Sequence, residues 1–218
     1  EQLGNLSKEY GFSIIEDASH AIGGFYLQNP VGSCRYSSIT IFSFHPVKII
    51  TTGEGGMALT NDEKIAKTIR LLRSHGVTRE KEDLLNKHNG EWYYEQINLG
   101  FNYRMTDLQA ALGVSQLNML EKFISKRLTI AKRYEDFLSD NHILKPPMND
   151  NSAWHLYIIR LKNSKNRLLL FNELRSFGIG ANVHYIPVYL QPYYKKLGFK
   201  LGHCPIAEDY YACIISIP

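Results

Sequence analysis

Apolar residues recur along this chain at two spacings, and the switches between them outline an α/β protein. Residues 2–10 carry a helical pattern, and Gly11 supplies a stop. Phe12-Ser13-Ile14-Ile15 predicts a buried strand that runs out into Glu16-Asp17-Ala18-Ser19-His20. Ile39-Thr40-Ile41-Phe42-Ser43-Phe44 predicts a second, rich in β-branched and aromatic residues. His45-Pro46-Val47-Lys48 leaves it, because proline cannot continue a central strand. Gly53-Glu54-Gly55-Gly56 predicts a turn and Met57-Ala58-Leu59-Thr60 a third short strand. Asn61 is the expected cap of a helix over 62–74, with Ile65, Ile69 and Leu72 on one face and Gly76 past its end. Strands and helices in alternation predict an α/β domain.

Residues 77–101 lack a clean period and predict a long surface loop. Thr106-Asp107-Leu108-Gln109 is a capping box, in which hydroxyl and amide satisfy orphan backbone groups reciprocally. A helical pattern follows towards residue 138, long enough to predict a break at 118–123. Pro146-Pro147 with Asn149 to Ser152 reads as a linker. Beyond it, His155–Leu161 predicts a strand, 165–177 a helix closed by Gly178, and Ala181–Tyr185 another strand, so a second α+β unit follows. The chain carries no internal repeat. It starts at Glu1 and stops in the extended Ile215-Ser216-Ile217-Pro218, which reads as a piece of a longer protein.

Composition narrows the function classes. Of 218 residues, 44% are hydrophobic and 21% charged, which fits a globular protein rather than a disordered one. No apolar run reaches the roughly 20 residues of a membrane helix, and the first residues form no signal peptide. With 25 Lys and Arg against 21 Asp and Glu the net charge is +4, spread without a basic block, which argues against nucleic-acid binding. Cys34, Cys204 and Cys213 are odd in number and far apart, which excludes a disulfide framework and a Cys-x-x-Cys metal site and points to a reducing cytoplasm. No His-Glu-x-x-His pattern, Walker loop, Gly-x-Gly-x-x-Gly fingerprint or Gly-x-Ser-x-Gly elbow is present, so no metal is expected.

Three residues stand at expected strand ends, where open α/β sheets bind ligands: Asp17, Ser43 and, on the loop beyond, Lys48. Taken alone, Asp17 is equally explained as a cap, Ser43 as a strand residue, Lys48 as a solvated charge and His20 as a structural imidazole. Gly53–Gly56 is a tight turn before it is a phosphate loop. Together the residues suit pyridoxal phosphate. A carboxylate keeps the ring nitrogen protonated, a hydroxyl holds the phosphate, and a desolvated lysine forms an imine with the aldehyde.

Five ordered segments make the resemblance specific. These are 16–24 (EDASHAIGG), 42–48 (FSFHPVK), 52–56 (TGEGG), 99–111 (LGFNYRMTDLQAA) and 180–188 (GANVHYIPV). They resemble the signature segments of the DegT/DnrJ/EryC1/StrS nucleotide-sugar aminotransferases, and the resemblance runs nearly the whole chain. It implies the aspartate aminotransferase (type I) fold in part: 1–118 as the rear of the large cofactor-binding domain and 119–218 as a smaller α+β domain cut short at its end. It implies Lys48 as the catalytic, imine-forming lysine, Asp17 at the pyridine nitrogen, His20 beside the ring, and Ser43 on the phosphate. It implies Asn102 reaching across a homodimer interface to the neighbour's phosphate, and Arg104 and His184 near the substrate. Segments 92–96, 152–157 and 189–194 are similar to the branch that makes pseudaminic acid precursors. That implies a UDP-linked 4-keto-6-deoxy-N-acetylhexosamine as acceptor and L-glutamate as donor. A dTDP- or GDP-linked sugar, or a non-catalytic member acting by binding, are the alternatives.

Overall fold

A computed structural model describes residues 1–86 and 90–218. They form two compact units, one of residues 1–124 with 151–153 and one of residues 125–150 with 154–218.

The first unit opens with α1 (Gln2–Tyr10), which stops at Gly11 as its sequence predicts. Strand β1 (Ile15–Asp17) follows, then the small hairpin of β2 (Phe25–Tyr26) and β3 (Asn29–Pro30). Next come β4 (Ile39–Ser43) and β5 (Gly56–Leu59). The central sheet has the order β1-β4-β5, with β1 parallel and β5 antiparallel to β4. The first strand therefore lies three residues later than the run Phe12–Ile15 suggests. Its partner dictates this: β4 comes alongside only at Ile39, which pairs with Ile15. Asp17 is thereby the last residue of the strand rather than part of the loop beyond it.

Helix α2 (Glu63–Leu72) is capped by Asp62, not by the expected Asn61. Asp62 Oδ1 accepts from the N–H groups of Lys64 and Ile65 at 2.8 and 3.1 Å, while Asn61 donates to the Ser33 carbonyl. The expected loop 77–101 contains a two-residue antiparallel pair, β6 (Val77–Thr78) with β7 (Glu95–Gln96). Strands that short carry no period to read. The part of that expected loop at 87–89 lies outside the described residues. The Glu95 carboxylate gathers its near end, accepting from Leu85 N–H, from the backbone and side chain of Asn86, and from the Tyr93 hydroxyl. Helix α3 (Asp107–Leu117) begins at the capping box, and α4 (Leu120–Phe137) follows after the expected break. The core gathers Ala18, Phe42, Phe44 and Ile50, with Val31, Leu59, Met105 and Phe123 around them.

The second unit takes up the later turns of α4 and adds β8 (Ile143–Leu144), β9 (Tyr157–Leu161) and α5 (Arg167–Ser176). It closes with α6 (Pro192–Lys196), α7 (Pro205–Cys213) and β10 (Ile214–Ile217). Its antiparallel sheet runs β10-β9-β8. Ile214 and Ile215 are completely buried, and Ile215 packs with Trp154, Tyr157, Ile159 and Ala131. The expected strand 181–185 is reduced to one bridge, Asn182 with Ser216. Towards residue 180 the ladder would need the N–H that Pro218 lacks, and towards residue 184 it meets the end of α7.

Candidate active site

Parallel pairing of β1 with β4 brings their carboxyl ends to one edge of the sheet. Asp17 lies beside Ile41, and Ser43 ends β4 two residues further on. The chain turns immediately after Asp17. Oδ1 of Asp17 accepts from the Ser19 hydroxyl at 2.6 Å and the Ser19 N–H at 3.1 Å. Those two bonds stabilise the ionised form and outweigh the opposing effect of burial, so the Asp17 carboxyl sits below its ordinary range; His20 and Lys48 add the smallest contributions, in the same direction as the bonds. The pair Asp17–Ser19 was legible as an Asx turn, an aspartate bonded two residues on, but sequence reasoning did not assign Ser19 a role.

Lys48 is half-buried on the loop that follows β4. The loop is tied at both ends. Lys48 N–H donates to the His45 carbonyl at 2.9 Å, and Phe44 O accepts from Thr52 N–H and Thr51 Oγ1, each at 3.0 Å. Ile49 and Ile50, 5% and 3% exposed, drive the chain into the core directly after the lysine. Thr52 is 3% exposed and wedges this loop against α3: a Cβ on Gly113 would stand 2.8 Å from its methyl group. This anchoring threonine is the second residue that sequence reasoning missed. The glycines after it form a turn. Thr52 Oγ1 donates to the Glu54 carbonyl, and Gly53 N–H to Thr51 Oγ1, so the segment satisfies itself. At the strand end, Ser43 Oγ accepts a long 3.4 Å contact from His45 N–H.

One edge of the first unit thus carries an ionised carboxylate, a hydroxyl and an amine whose charge acts on the carboxylate. That donor set fits a protonated ring nitrogen, a phosphate and an aldehyde.

Asn102 and Arg104 lie on a segment woven onto the end of α2. Phe101 N–H donates to Leu72 O at 2.6 Å, His75 N–H to Phe101 O at 2.8 Å, and Tyr103 N–H to Arg73 O at 2.9 Å. Asn102 bridges Ser74 through its backbone, and the Arg104 guanidinium donates to Ser74 Oγ at 3.1 Å. Both side chains are exposed. His184 belongs to the second unit. Its Nδ1 lies 2.9 Å from Ser216 Oγ, and its Nε2 lies 3.4 Å from Asn182 Nδ2.

Fold and site together define an α/β protein that presents a lysine and a carboxylate at one end of its sheet. The chain matches the DegT/DnrJ/EryC1/StrS aminotransferase family over residues 1–218, and it belongs to that family. It is 38% identical to a UDP-4-amino-4,6-dideoxy-N-acetyl-beta-L-altrosamine transaminase of Campylobacter jejuni, covering 100% of this chain and 56% of the relative. It superposes with a TM-score of 0.87 and 34% identity on Helicobacter pylori PseC, an aminotransferase involved in the biosynthesis of pseudoaminic acid, covering 99% of this chain and 56% of that one. It superposes with a TM-score of 0.84 and 32% identity on a putative sugar aminotransferase of Streptococcus pneumoniae in its PLP form, covering 98% and 54%. The chain thus spans a little over half the length of these relatives, and its fold is part of theirs.

Proposed function

We propose that the protein is a pyridoxal phosphate-dependent aminotransferase that moves an amino group from L-glutamate to C4 of a UDP-linked 4-keto-6-deoxy-N-acetylhexosamine. One observation carries the reading: parallel pairing puts Asp17 and Ser43 at the same end of the sheet, and Lys48 stands on the loop that leaves that end. The names of the Campylobacter and Helicobacter relatives support the UDP-sugar and the pathway of pseudaminic acid.

When bound, pyridoxal phosphate supplies an electron sink for the carbanion formed at an amino acid Cα. Asp17, held ionised by Ser19, keeps the proton on the ring nitrogen. Lys48 Nζ would hold the aldehyde carbon as an imine, with loss of water, and when free as an amine would hold and move the proton of the amino acid Cα. Ser43 Oγ would hold the phosphate, and His20 would stand beside the ring. Arg104 and His184 contact the sugar nucleotide. In a homodimer, Asn102 reaches the neighbouring subunit's phosphate. Support for an apolar contact between copies comes from Leu99, Tyr103 and Leu108, which are 89%, 72% and 85% exposed. Among the described residues no helix is long and apolar enough to cross a membrane, and we place the enzyme in the cytoplasm.

The test is full-length protein with pyridoxal phosphate, L-glutamate and a panel of UDP-, dTDP- and GDP-linked 4-keto sugars. The proposal expects 2-oxoglutarate and a 4-amino sugar, with the UDP substrate preferred. Cofactor binding without amine transfer to any member of the panel refutes it.

A further inference from the structure

We infer that Ser216 is a positioning residue that fixes the ring and the proton of His184, so that Nε2 holds the Asn182 amide and the amide's remaining N–H and carbonyl oxygen are offered to a sugar substituent. This rests on the reading of His184 as a substrate contact.

Ser216 is 4% exposed and cannot move. Its N–H donates to Asn182 O at 2.7 Å and its carbonyl accepts from Asn182 N–H at 3.0 Å. Strand pairing on its other side, to Ile158 of β9, holds the same residue. With the backbone locked on both sides, the hydroxyl has a fixed origin, and it meets His184 Nδ1 at 2.9 Å. Asn182 is fixed by the same bridge and sets its Nδ2 3.4 Å from Nε2.

An amide NH2 can only donate, so Nε2 must accept. In a neutral imidazole the proton then sits on Nδ1 and is donated to Ser216 Oγ. The half-buried ring thereby spends its one acceptor lone pair, on Nε2, on the Asn182 amide, and that exposed amide keeps its second N–H and a carbonyl oxygen that also accepts from Val183 N–H at 2.8 Å. That pairing suits a hydroxyl or an N-acetyl group on a sugar, each of which brings its own N–H or O–H. The link from position 216 to position 184 spans 32 residues and leaves no trace in local spacing.

The experiment uses full-length protein with its cofactor and compares wild type, Ser216→Ala and Ser216→Thr. Nitrogen-15 NMR reads the imidazole tautomer, the His184 signal being the one lost in His184→Gln. The wild type is expected to carry its proton on Nδ1. Ser216→Ala is expected to lose that signature while amide dispersion shows the fold intact. Its KM for the nucleotide sugar should rise about five-fold relative to its KM for glutamate, the value of one neutral hydrogen bond. Ser216→Thr, which keeps the hydroxyl, should restore both. A wild-type proton on Nε2, or a tautomer indifferent to Ser216→Ala, overturns the inference. A tautomer change with the KM ratio unmoved sustains the positioning and refutes His184 as a sugar contact.

Discussion

Alanine at position 100 should pull apart the segment that carries Asn102 and Arg104. The Cβ it adds would lie 2.3 Å from Gly76 N and 2.6 Å from both Leu72 O and His75 C. All three atoms are backbone, so no side chain can swing away. Ordinary contact begins at 3.4 Å, and the two strands of chain must separate by about an ångström. Gly76 cannot yield either: its φ is +68°, and a Cβ there would collide with Asn98 O. Separation breaks or stretches Phe101 N–H to Leu72 O and His75 N–H to Phe101 O, now 2.6 and 2.8 Å. Each bond contributes a net ~0.5–1.5 kcal/mol, and overpacking adds ~1–3 kcal/mol. With partial relaxation, Gly100→Ala should destabilise by about 2–4 kcal/mol. Denaturant unfolding measures the loss, and hydrogen exchange at Phe101 and His75 should localise it. A change below about 0.5 kcal/mol, with both amides still protected, would show that the close approach does not govern this segment.

Asp62→Ala, which removes the acceptor of two first-turn amides, should cost about 1 kcal/mol in equilibrium unfolding, whereas Asn61→Ala should leave α2 capped. Ile215→Ala opens a cavity at a fully buried site and should cost about 2–5 kcal/mol, against about 0.5–1.5 kcal/mol for Ile215→Val. The Tyr189 hydroxyl, its pKa pushed up to about 12 by burial and by its bond to Glu208, favours the protonated form in the folded state. Its contribution is therefore complete below pH about 10 and lost as pH rises towards 12, and Tyr189→Phe should flatten stability across that window. Asp17 has the opposite sign. Its depressed pKa contributes stability above its ordinary value of 3.8 that fades as acid protonates it, and Ser19→Ala should shrink that acid-sensitive part of the unfolding curve.

Elements with strong local signals were legible in the chain itself. The capping box at Thr106 starts α3, Gly11 and Gly178 follow α1 and α5, and the break between α3 and α4 falls where length demanded it. What escaped depends on partners distant in sequence. Strand β1 is set by Ile39 across the sheet rather than by its own apolar run. The pair β6–β7 is too short for any period, and 181–185 looks like a strand but has one residue to pair with. Helices α6 and α7 carried a readable signal in the prolines at their first positions, Pro192 and Pro205. Within the site, residue types and order pointed to Asp17, Ser43 and Lys48. Their helpers did not stand out, because Ser19 and Thr52 act through hydrogen bonds and packing that only the folded chain defines.

The account turns on Lys48 Nζ as the group that takes the cofactor aldehyde, and trapping tests that directly. Full-length protein treated with pyridoxal phosphate, reduced with borohydride and digested should carry the cofactor's mass on the peptide containing Lys48. An absorbance band at the violet edge of the visible should accompany it, and Lys48→Ala should abolish both. Label on another lysine, or a band that survives Lys48→Ala, would contradict the account.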